Sequence, residues 1–514
     1  MSNVAVKQAD LDKLCRKIPY TKSKILTDEI YDQSANTLKE LWARFGYSDV
    51  LGKLSEIWPS WKAIPFFEKY TLSISRNLSR PADSHKVIAT YYKRIYNGGV
   101  ERVLAQLMNL WVYEMGYRVI LFTEEPENKL DFSYPPSVKR VIIPTADRMQ
   151  ERLFIIQRTC IDEGVNLYIN HMWHHESVLW ELLLLKMIHI PFAVYVHGNF
   201  SSFIWKSKHG LYQPELFKMC DVVLSLSETN ARFFQLCGCK SYMVQNPIPE
   251  DLSNNTVVSS LSSNHVLMIG RLSAEKHPMD CLNIFKLVHD SVPDAILDIV
   301  GGDDNGNYYT SQMNIFVKEN NLDSCVIFHG KKKQTEIAEF YKKSSCVILT
   351  SEMEGYGMVI LEAKAYGLPL VMYELPYLTL VKDGRGILNA KQGDIQTMAD
   401  NLIKVLSDDS LRFKLGKEAR ESFESFKAYD LAGAWENVIS IATEGKPHHE
   451  DKAYFNPEDT FDADEFVVPM LLDAMKKEYD NMFCEYRIGK KLLQYPRMAK
   501  AIIMKIKRTL KSLR

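Results

Sequence analysis

Short apolar runs alternate with helix-like segments from Lys86 onward, and this alternation indicates the architecture of the chain. The runs are three to six residues long and rich in Val, Ile and Leu, which is typical of strands buried on both faces of a parallel sheet. Most are followed by a stretch with apolar residues at helical spacing. The predicted strands are Lys86–Thr90, Arg118–Phe122, Val138–Ile143, Leu167–Asn170, Phe192–Val196, Val222–Ser225, Tyr242–Val244, Val266–Ile269, Ala295–Val300, Val326–Phe328, Val347–Leu349 and Leu370–Met372.

A polar stretch from Ser253 to Asn264 interrupts this alternation. It is rich in Ser and Asn and lacks periodicity, which indicates an interdomain linker. The two blocks of alternating strand and helix predict an α/β fold with two doubly wound parallel sheets, in domains 83–252 and 253–445. Residues 1–82 are helix-like, and 446–514 are first acidic and then basic. Because such sheets bind ligands beyond the carboxyl ends of their strands, the cleft between the domains is the expected site.

The segment from Thr350 to Val371 carries the strongest chemical signal. It predicts a strand, a glycine loop, a helix that begins near Met358, and a stop at Gly367-Leu368-Pro369. The start of such a helix offers free backbone N–H groups and a positive dipole, which suit a phosphate. Glu354 precedes the helix and Glu362 lies eight positions later, about one turn inside it. Two carboxylates at that spacing can bracket a diphosphate and meet hydroxyls at both of its ends.

This pair, set in Glu354-Gly355-Tyr356-Gly357, an apolar helix and Gly-Leu-Pro, resembles the E-x7-E motif of retaining glycosyltransferases. The resemblance is to the large family four, and it extends over about residues 86–445. It implies the GT-B architecture, in which two Rossmann-like domains face each other across a cleft. It also implies that Glu354 holds hydroxyls of the donor sugar and Glu362 those of the ribose. The N–H groups around Gly357, Met358 and Val359 would then face the diphosphate.

A second motif, Gly270-Arg271-Leu272-Ser273-Ala274-Glu275-Lys276, directly follows the strand Val266–Ile269. A donor diphosphate needs cations that persist at neutral pH, and Arg and Lys supply them. In the family the Arg and Lys of this motif hold the diphosphate, and Arg271 and Lys276 match those positions. The family's common glycine after the lysine is replaced by His277, a difference that we expect to matter little. A solvated loop is the alternative reading of this motif.

Three further loops follow predicted strands and match the family in order. Gly98 and Gly99, in Asn97-Gly98-Gly99-Val100-Glu101, resemble the G-G-x-E loop near the donor phosphates, although a plain turn is also compatible. His197 occupies the position of a histidine that contacts the transferred sugar. Gly330 and Lys331 lie in the loop that corresponds to the family's nucleobase-contacting loop. Such a loop does not indicate whether the base is uracil or guanine.

Composition and absent motifs argue against several other classes of function. The 514 residues carry a formal net charge of −1, so no global basic field favours nucleic acid as a partner. Nine scattered cysteines, no apolar leader and no run of ~20 apolar residues favour reduced thiols and a cytoplasmic setting. Neither a dinucleotide G-x-G-x-x-G after a strand nor a Walker loop is present, which argues against a dehydrogenase or an NTPase.

Three clusters superficially match metal sites. Cys237-Gly238-Cys239 has no second pair of ligands nearby, and His171-Met172-Trp173-His174-His175 has no adjacent carboxylate or cysteine set. Asp462-Ala463-Asp464 matches a D-x-D clamp but lies in an acidic stretch without a preceding strand. We therefore predict no metal, and no cofactor beyond the nucleotide-sugar co-substrate.

The last residues form a separate candidate. From Arg487 to the end there are ten Lys or Arg and no Asp or Glu. From Pro496 onward the apolar and basic positions fall on opposite helical faces, as in helices that lie on anionic membranes. Such an anchor would suit a lipid-linked acceptor and a place at the inner face of the plasma membrane. Docking on the protein's own acidic surface, or a disordered tail, remains an alternative.

The resemblance implies metal-independent transfer of a sugar from a UDP- or GDP-sugar to an acceptor hydroxyl, with retention of configuration. Glycan or lipid-linked acceptors of bacterial cell-surface polysaccharide synthesis are the expected partners. Glu354, Arg271, Lys276 and His197 are the predicted catalytic residues. Two alternatives stay open, another GT-B enzyme such as a sugar-nucleotide epimerase and a non-catalytic sugar-nucleotide-binding subunit.

Overall fold

The computed structural model describes residues 3–23, 25–75, 86–96, 98–201, 213–303, 306–449, 462–463 and 465–476. Asn97, Asp464 and the basic tail from Pro496 lie outside these residues, so the predictions made for them are not addressed by the fold. Within the described ranges the chain forms two parallel sheets covered by helices, which confirms the predicted α/β class.

The first sheet has seven strands in the order β3-β2-β1-β4-β5-β6-β7, and every neighbouring pair is parallel. The central strands are apolar and fully buried, which accounts for their continuous hydrophobic runs. The strands are β1 Val87–Tyr91, β2 Arg118–Thr123, β3 Lys139–Ile142, β4 Leu167–Asn170, β5 Phe192–Val196, β6 Val222–Ser225 and β7 Ser241–Met243.

The second sheet has six parallel strands in the order β10-β9-β8-β11-β12-β13. The strands are β8 His265–Ile269, β9 Ile296–Val300, β10 Val326–Gly330, β11 Cys346–Leu349, β12 Leu370–Tyr373 and β13 Ile387–Ala390. The first five of these match sequence-predicted strands to within two residues at each end. The edge strand β13 was not predicted, because its burial alternates irregularly and gives no clear apolar run.

Helices cover both sheets, and those of the N-terminal half include the predicted extension. The helix that begins at Gly99 ends in a π-helical turn, Leu110–Glu114. The α-helices of this half are Asn3–Cys15, Pro19–Lys22, Asp28–Phe45, Tyr47–Ile57, Ser60–Ser75, Gly99–Asn109, Met149–Asp162, Val178–Met187, Gln213–Phe217, Glu228–Leu236 and Glu250–Ser253. Those of the second half are Pro278–Ser291, Tyr308–Glu319, Gln334–Lys343, Met358–Ala365, Ile395–Ser407, Asp409–Lys427 and Leu431–Glu444.

The N-terminal helices share one hydrophobic core with a face of the first sheet. The helix Tyr47–Ile57 crosses Met149–Asp162 so closely that a Cβ at Gly52 would lie 2.5 Å from the Gln150 Cα. Residues 465–476 form a further helix, and its Val467 side chain is buried in the same core. The extension is therefore part of the body of the N-terminal domain.

The two domains also contact each other outside the linker. Trp435, on the last helix of the second domain, is fully buried against Trp111 of the first domain, with ring centroids 4.9 Å apart. The last helix of the second domain therefore crosses back onto the first domain. The predicted linker is packed rather than loose, since Leu261 is buried and Ser259 donates to the Ser344 carbonyl at 2.6 Å.

Candidate active site in the interdomain cleft

Glu354 and Lys276 form an ion pair at the carboxyl end of the second sheet. Both side chains are mostly buried, with 12% and 16% exposed. The same Glu354 oxygen accepts a hydrogen bond from the Ser351 hydroxyl at 2.7 Å. The two motifs that the sequence predicted to converge are thus in direct contact, although they lie 78 positions apart.

The loop that carries Glu354 is fastened by its backbone. The Glu354 N–H donates to the Tyr377 hydroxyl at 2.9 Å, and that hydroxyl donates to the Glu354 carbonyl at 3.2 Å. Asn199 of the first domain lies next to Tyr377. At the start of the same loop, the Thr350 hydroxyl donates to the Lys276 carbonyl at 2.8 Å. Sequence reasoning missed Tyr377, which lies in no recognisable motif, and Asn199, which lies two residues after the predicted His197.

The helix Met358–Ala365 begins immediately after this loop, as predicted. Gly357 precedes it with φ +87°, in the left-handed region that favours glycine. The first N–H groups of a helix have no partner within the helix. The helix start therefore presents donors next to the Lys276–Glu354 pair, which suits an anionic group.

Three glycines with positive φ lie at neighbouring strand ends of the second sheet: Gly270, Gly301 and Gly330, with φ of 143°, 147° and 66°. A Cβ at Gly301 would lie 1.7 Å from the Gly270 carbonyl oxygen, so no larger residue fits there. The predicted base-contacting residue Lys331 lays its side chain across Gly302. Gly301 and Gly302 were missed, although they directly follow a predicted strand.

Arg271 has a largely exposed side chain, 63%. Its NH2 group lies 3.5 Å from Glu275. Burial raises the pKa of Glu101, whereas Arg94 and Arg271 act in the opposite direction. Arg271 is therefore close enough to influence a carboxylate across the cleft.

The predicted Gly98-Gly99 loop opens the helix Gly99–Asn109 on the first-domain side. A Cβ at Gly98 would lie 2.0 Å from the Glu101 carboxylate, which folds back over the loop. The Gly98-Gly99 loop therefore already holds a carboxylate, and its direct contact with phosphate stays a prediction.

The two domains touch where Gly355 meets His197. A Cβ at Gly355 would lie 2.1 Å from the His197 carbonyl oxygen and 3.3 Å from the Gly198 Cα. Only glycine allows this approach of two backbones. The structure thus brings the predicted sugar-contacting residue His197 against the loop of Glu354.

His197 lies beside a second histidine from the neighbouring strand end. Its Nε2 is 2.8 Å from the His171 Nδ1, and the rings stack with centroids 5.1 Å apart. Burial lowers the pKa of His197 to about 3, so the ring is neutral near pH 7. His175 instead pairs with Ser177, and the histidine cluster does not converge on one point.

Glu362 is also in the cleft, and each of its carboxylate oxygens accepts one hydrogen bond. Its Oε1 accepts from Arg102 Nη1 at 2.7 Å and its Oε2 from the Tyr341 hydroxyl at 2.7 Å. Arg102 belongs to the first domain and also binds Asp251, at 2.8 and 3.0 Å. Arg102 follows Glu101 directly in the predicted glycine motif, a signal that sequence analysis could have used.

His277, which replaces the family's common glycine, adopts the left-handed conformation with φ +43°. Its ring lies 3.5 Å from both Asp280 and Glu352. Hydrogen bonds to Asp280 and Glu352 raise the pKa of His277 to about 9. The replacement brings a left-handed backbone and two ion pairs, and the expectation that it matters little for function stays a prediction.

Among the described residues, no group of three or more His, Cys, Asp or Glu could hold a metal ion. The eight cysteines in the described ranges form no disulfide. Within the same part of the chain, no helix is long and apolar enough to cross a membrane.

Comparisons with known proteins agree with this geometry. Residues 97–252 match the model of Glycosyltransferase Family 4, and residues 255–422 match that of glycosyl transferases group 1. An uncharacterised glycosyltransferase of Methanocaldococcus jannaschii is 26% identical over 294 residues, which are 54% of this chain and 74% of that protein.

Two solved structures show the same fold. Sucrose-phosphate synthase of Thermosynechococcus elongatus has a TM-score of 0.57 at 15% identity, covering 70% of this chain and 100% of that one. HepE of Anabaena, solved with UDP and glucose, has a TM-score of 0.55 at 14% identity, covering 70% and 99%. With its two facing parallel sheets and both family models matched in order, this chain belongs to the family-4 glycosyltransferases of the GT-B fold.

Proposed function

We propose that the protein transfers a glycosyl group from a UDP- or GDP-sugar to an acceptor hydroxyl, with retention of configuration and without a divalent metal. The observation that carries this proposal is the meeting of Lys276, Glu354 and the start of the Met358–Ala365 helix at the point where the domains touch. A cation, a carboxylate and backbone donors at one place fit a sugar diphosphate.

The charge of the leaving group explains the cationic side of the site. When the anomeric bond breaks, the departing diphosphate gains negative charge. Lys276, Arg271 and the N–H groups of Met358 and Val359 supply compensating positive charge. These donors are held in place before the reaction, which is the usual source of electrostatic catalysis. The two cationic side chains would take the part that a divalent ion plays elsewhere, so we expect EDTA to leave the rate unchanged.

Glu354 and His197 face the other side of the anomeric bond. Lys276 has three N–H donors, so it can keep its bond to Glu354 while it binds phosphate. Glu354 retains lone pairs for sugar hydroxyls. His197, neutral near pH 7, can donate or accept one hydrogen bond at the sugar. Its contact with Gly355 fixes the distance between these two groups.

Retention follows from the family's mechanism rather than from a side chain that could form a covalent intermediate. In front-face attack the acceptor hydroxyl approaches on the side that the diphosphate leaves. The leaving phosphate then takes the acceptor proton. Proton NMR of the product's anomeric coupling tests this step, and an inverted product would contradict it.

The acceptor and location rest on the sequence. We expect a glycan or lipid-linked acceptor at the cytoplasmic face of the plasma membrane, reached through the basic tail. Sedimentation with vesicles of neutral or anionic lipid, with and without residues 487–514, tests the tail. Equal sedimentation of both forms with anionic vesicles would contradict a membrane role.

The test of the whole proposal is a thermal-shift panel of UDP- and GDP-sugars, followed by transfer assays with the best binder. We expect one nucleotide class to raise the melting temperature and to be consumed with an acceptor. Conversion of the donor without an acceptor into an isomeric sugar nucleotide would favour an epimerase. Binding without any turnover across acceptors would favour a non-catalytic subunit.

A further inference from the structure

A buried ionic cluster joins the two domains beside the proposed donor site. It consists of Arg102 and Asp251 from the first domain, and Tyr341 and Glu362 from the second. The Arg102 and Glu362 side chains are only 10% and 9% exposed. We call these four residues the Arg102 cluster.

Each half of the Arg102 cluster is assembled within its own domain. Asp251 accepts two hydrogen bonds from the same Arg102 nitrogen, at 2.8 and 3.0 Å. Tyr341 donates to Glu362 at 2.7 Å, and its ring stacks on Tyr366 with an interplanar angle of 4°. The bond between Arg102 and Glu362 crosses the cleft, and the Gln334 amide of the second domain also lies 3.1 and 3.2 Å from the terminal nitrogens of Arg102. Each partner of the Arg102–Glu362 bond is therefore also held by a contact within its own domain.

In this arrangement the Glu362 carboxylate still has unused acceptor positions for a ligand. Arg102 uses one lone pair of Oε1, and Tyr341 uses one lone pair of Oε2. A carboxylate oxygen has two acceptor sites, so one remains on each oxygen. Two free acceptor positions on one carboxylate match the two vicinal hydroxyls of a ribose.

We propose that Arg102 is a positioning residue that couples domain closure to recognition of the donor's ribose through Glu362. This rests on the proposed function, in which Glu362 holds the ribose hydroxyls. With the domains closed, Arg102 fixes the carboxylate in the orientation that accepts both hydroxyls. With the domains apart, Glu362 keeps only Tyr341 and is less well oriented.

The test compares a nucleoside diphosphate with its 2′,3′-dideoxy form, which lacks both ribose hydroxyls. Because truncating Arg102 would leave Glu362 buried without its charged partner, the variants are Arg102→Lys and Asp251→Asn. Asp251 is half exposed, so its replacement is tolerated by the fold. Arg140→Lys is the matched control, since the Arg140–Asp131 pair is equally buried, 10% and 8% exposed, but lies within one domain.

UDP and GDP, and their dideoxy forms, are titrated into each protein by calorimetry. We expect the wild type and Arg140→Lys to prefer the ribose form by about tenfold or more, the size of a hydrogen bond to a charged group. Arg102→Lys should lose most of this preference, and Asp251→Asn part of it. Affinity for the dideoxy form should stay within about twofold of the wild type, since only the ribose contact changes.

Two results would overturn the role of Arg102 while leaving the proposed function intact. One is an unchanged ribose preference in Arg102→Lys and Asp251→Asn. The other is tighter binding of the ribose form by either variant, which would mean that Arg102 competes with the ribose for Glu362. A wild type that binds neither nucleotide, or binds both forms equally, would instead overturn the donor assignment itself.

Discussion

Alanine at Gly355 should hold the two domains apart. The added Cβ would lie 2.1 Å from the His197 carbonyl oxygen, whereas ordinary contacts begin at 3.4 Å. The backbone must therefore shift by about 1.3 Å at this point, since 3.4 minus 2.1 is 1.3. Its neighbours are backbone atoms, which cannot rotate away as a flexible side chain can.

A displacement of that size at the reacting centre costs about 10²-fold in rate, or about 2.7 kcal/mol of transition-state stabilisation. We expect kcat/KM of Gly355→Ala to fall by this factor in a nucleoside-diphosphate release assay with the best donor and acceptor. The melting temperature should change little, because the core beneath the N-terminal helices and the core of the second sheet stay packed. Nucleotide binding should weaken less than turnover.

Gly445→Ala is the matched control. Gly445 has φ +82°, ends the last helix and has nothing within 4 Å of an added Cβ. Its replacement should cost about 1–2 kcal/mol of stability through backbone strain, with turnover unchanged. Wild-type kcat/KM in Gly355→Ala would refute the reasoning, because the two loops would then not approach each other in the working enzyme.

Three further predictions follow from the contacts. Lys276→Ala should lower kcat/KM by about 10²–10³-fold, because a charge that stabilises the leaving diphosphate is lost, and unchanged kinetics would contradict its role. His277→Gly should show a pH-dependent stability difference from the wild type. The folded-state pKa of His277 is raised from 6.5 to about 9, so its contribution is complete below pH 6.5 and is lost as the pH rises through 9. Urea unfolding across this range measures that difference, and a constant value would contradict it. Trp435→Ala should cost about 3–5 kcal/mol in urea unfolding by leaving a cavity against Trp111, and a loss below ~1 kcal/mol would show that the crossing helix is not held there.

Much of the fold could be predicted because buried parallel strands are nearly continuous apolar runs. β4, β5 and β6 begin and end at the residues that the sequence indicated. The sequence predicted an interdomain linker from Ser253 to Asn264 but did not indicate how that stretch packs. Ser259 attaches this stretch to the second domain by donating to the Ser344 carbonyl, and Leu261 does so through its buried side chain. Composition does not reveal such contacts.

The sequence predicted which motif residues the fold brings together, because each of these motifs follows a strand. Lys276 and Glu354 are in contact because each follows a strand of the second sheet, and the carboxyl ends of parallel strands lie at the same edge of a sheet. The contacts of Glu362 could not be predicted in the same way. Arg102 lies 260 positions from Glu362, and only the packing of the two domains brings them together. The Tyr377 hydroxyl hydrogen-bonds the backbone of Glu354, and no motif around Tyr377 indicates this contact.

The most direct test is a crystal structure of the protein with the nucleoside diphosphate that the binding panel selects. We expect its diphosphate within hydrogen-bond distance of Arg271, Lys276 and the first N–H groups of the Met358–Ala365 helix. Its ribose hydroxyls should lie on Glu362. A nucleotide bound outside the cleft, or a diphosphate that contacts neither cation, would contradict the proposed donor site.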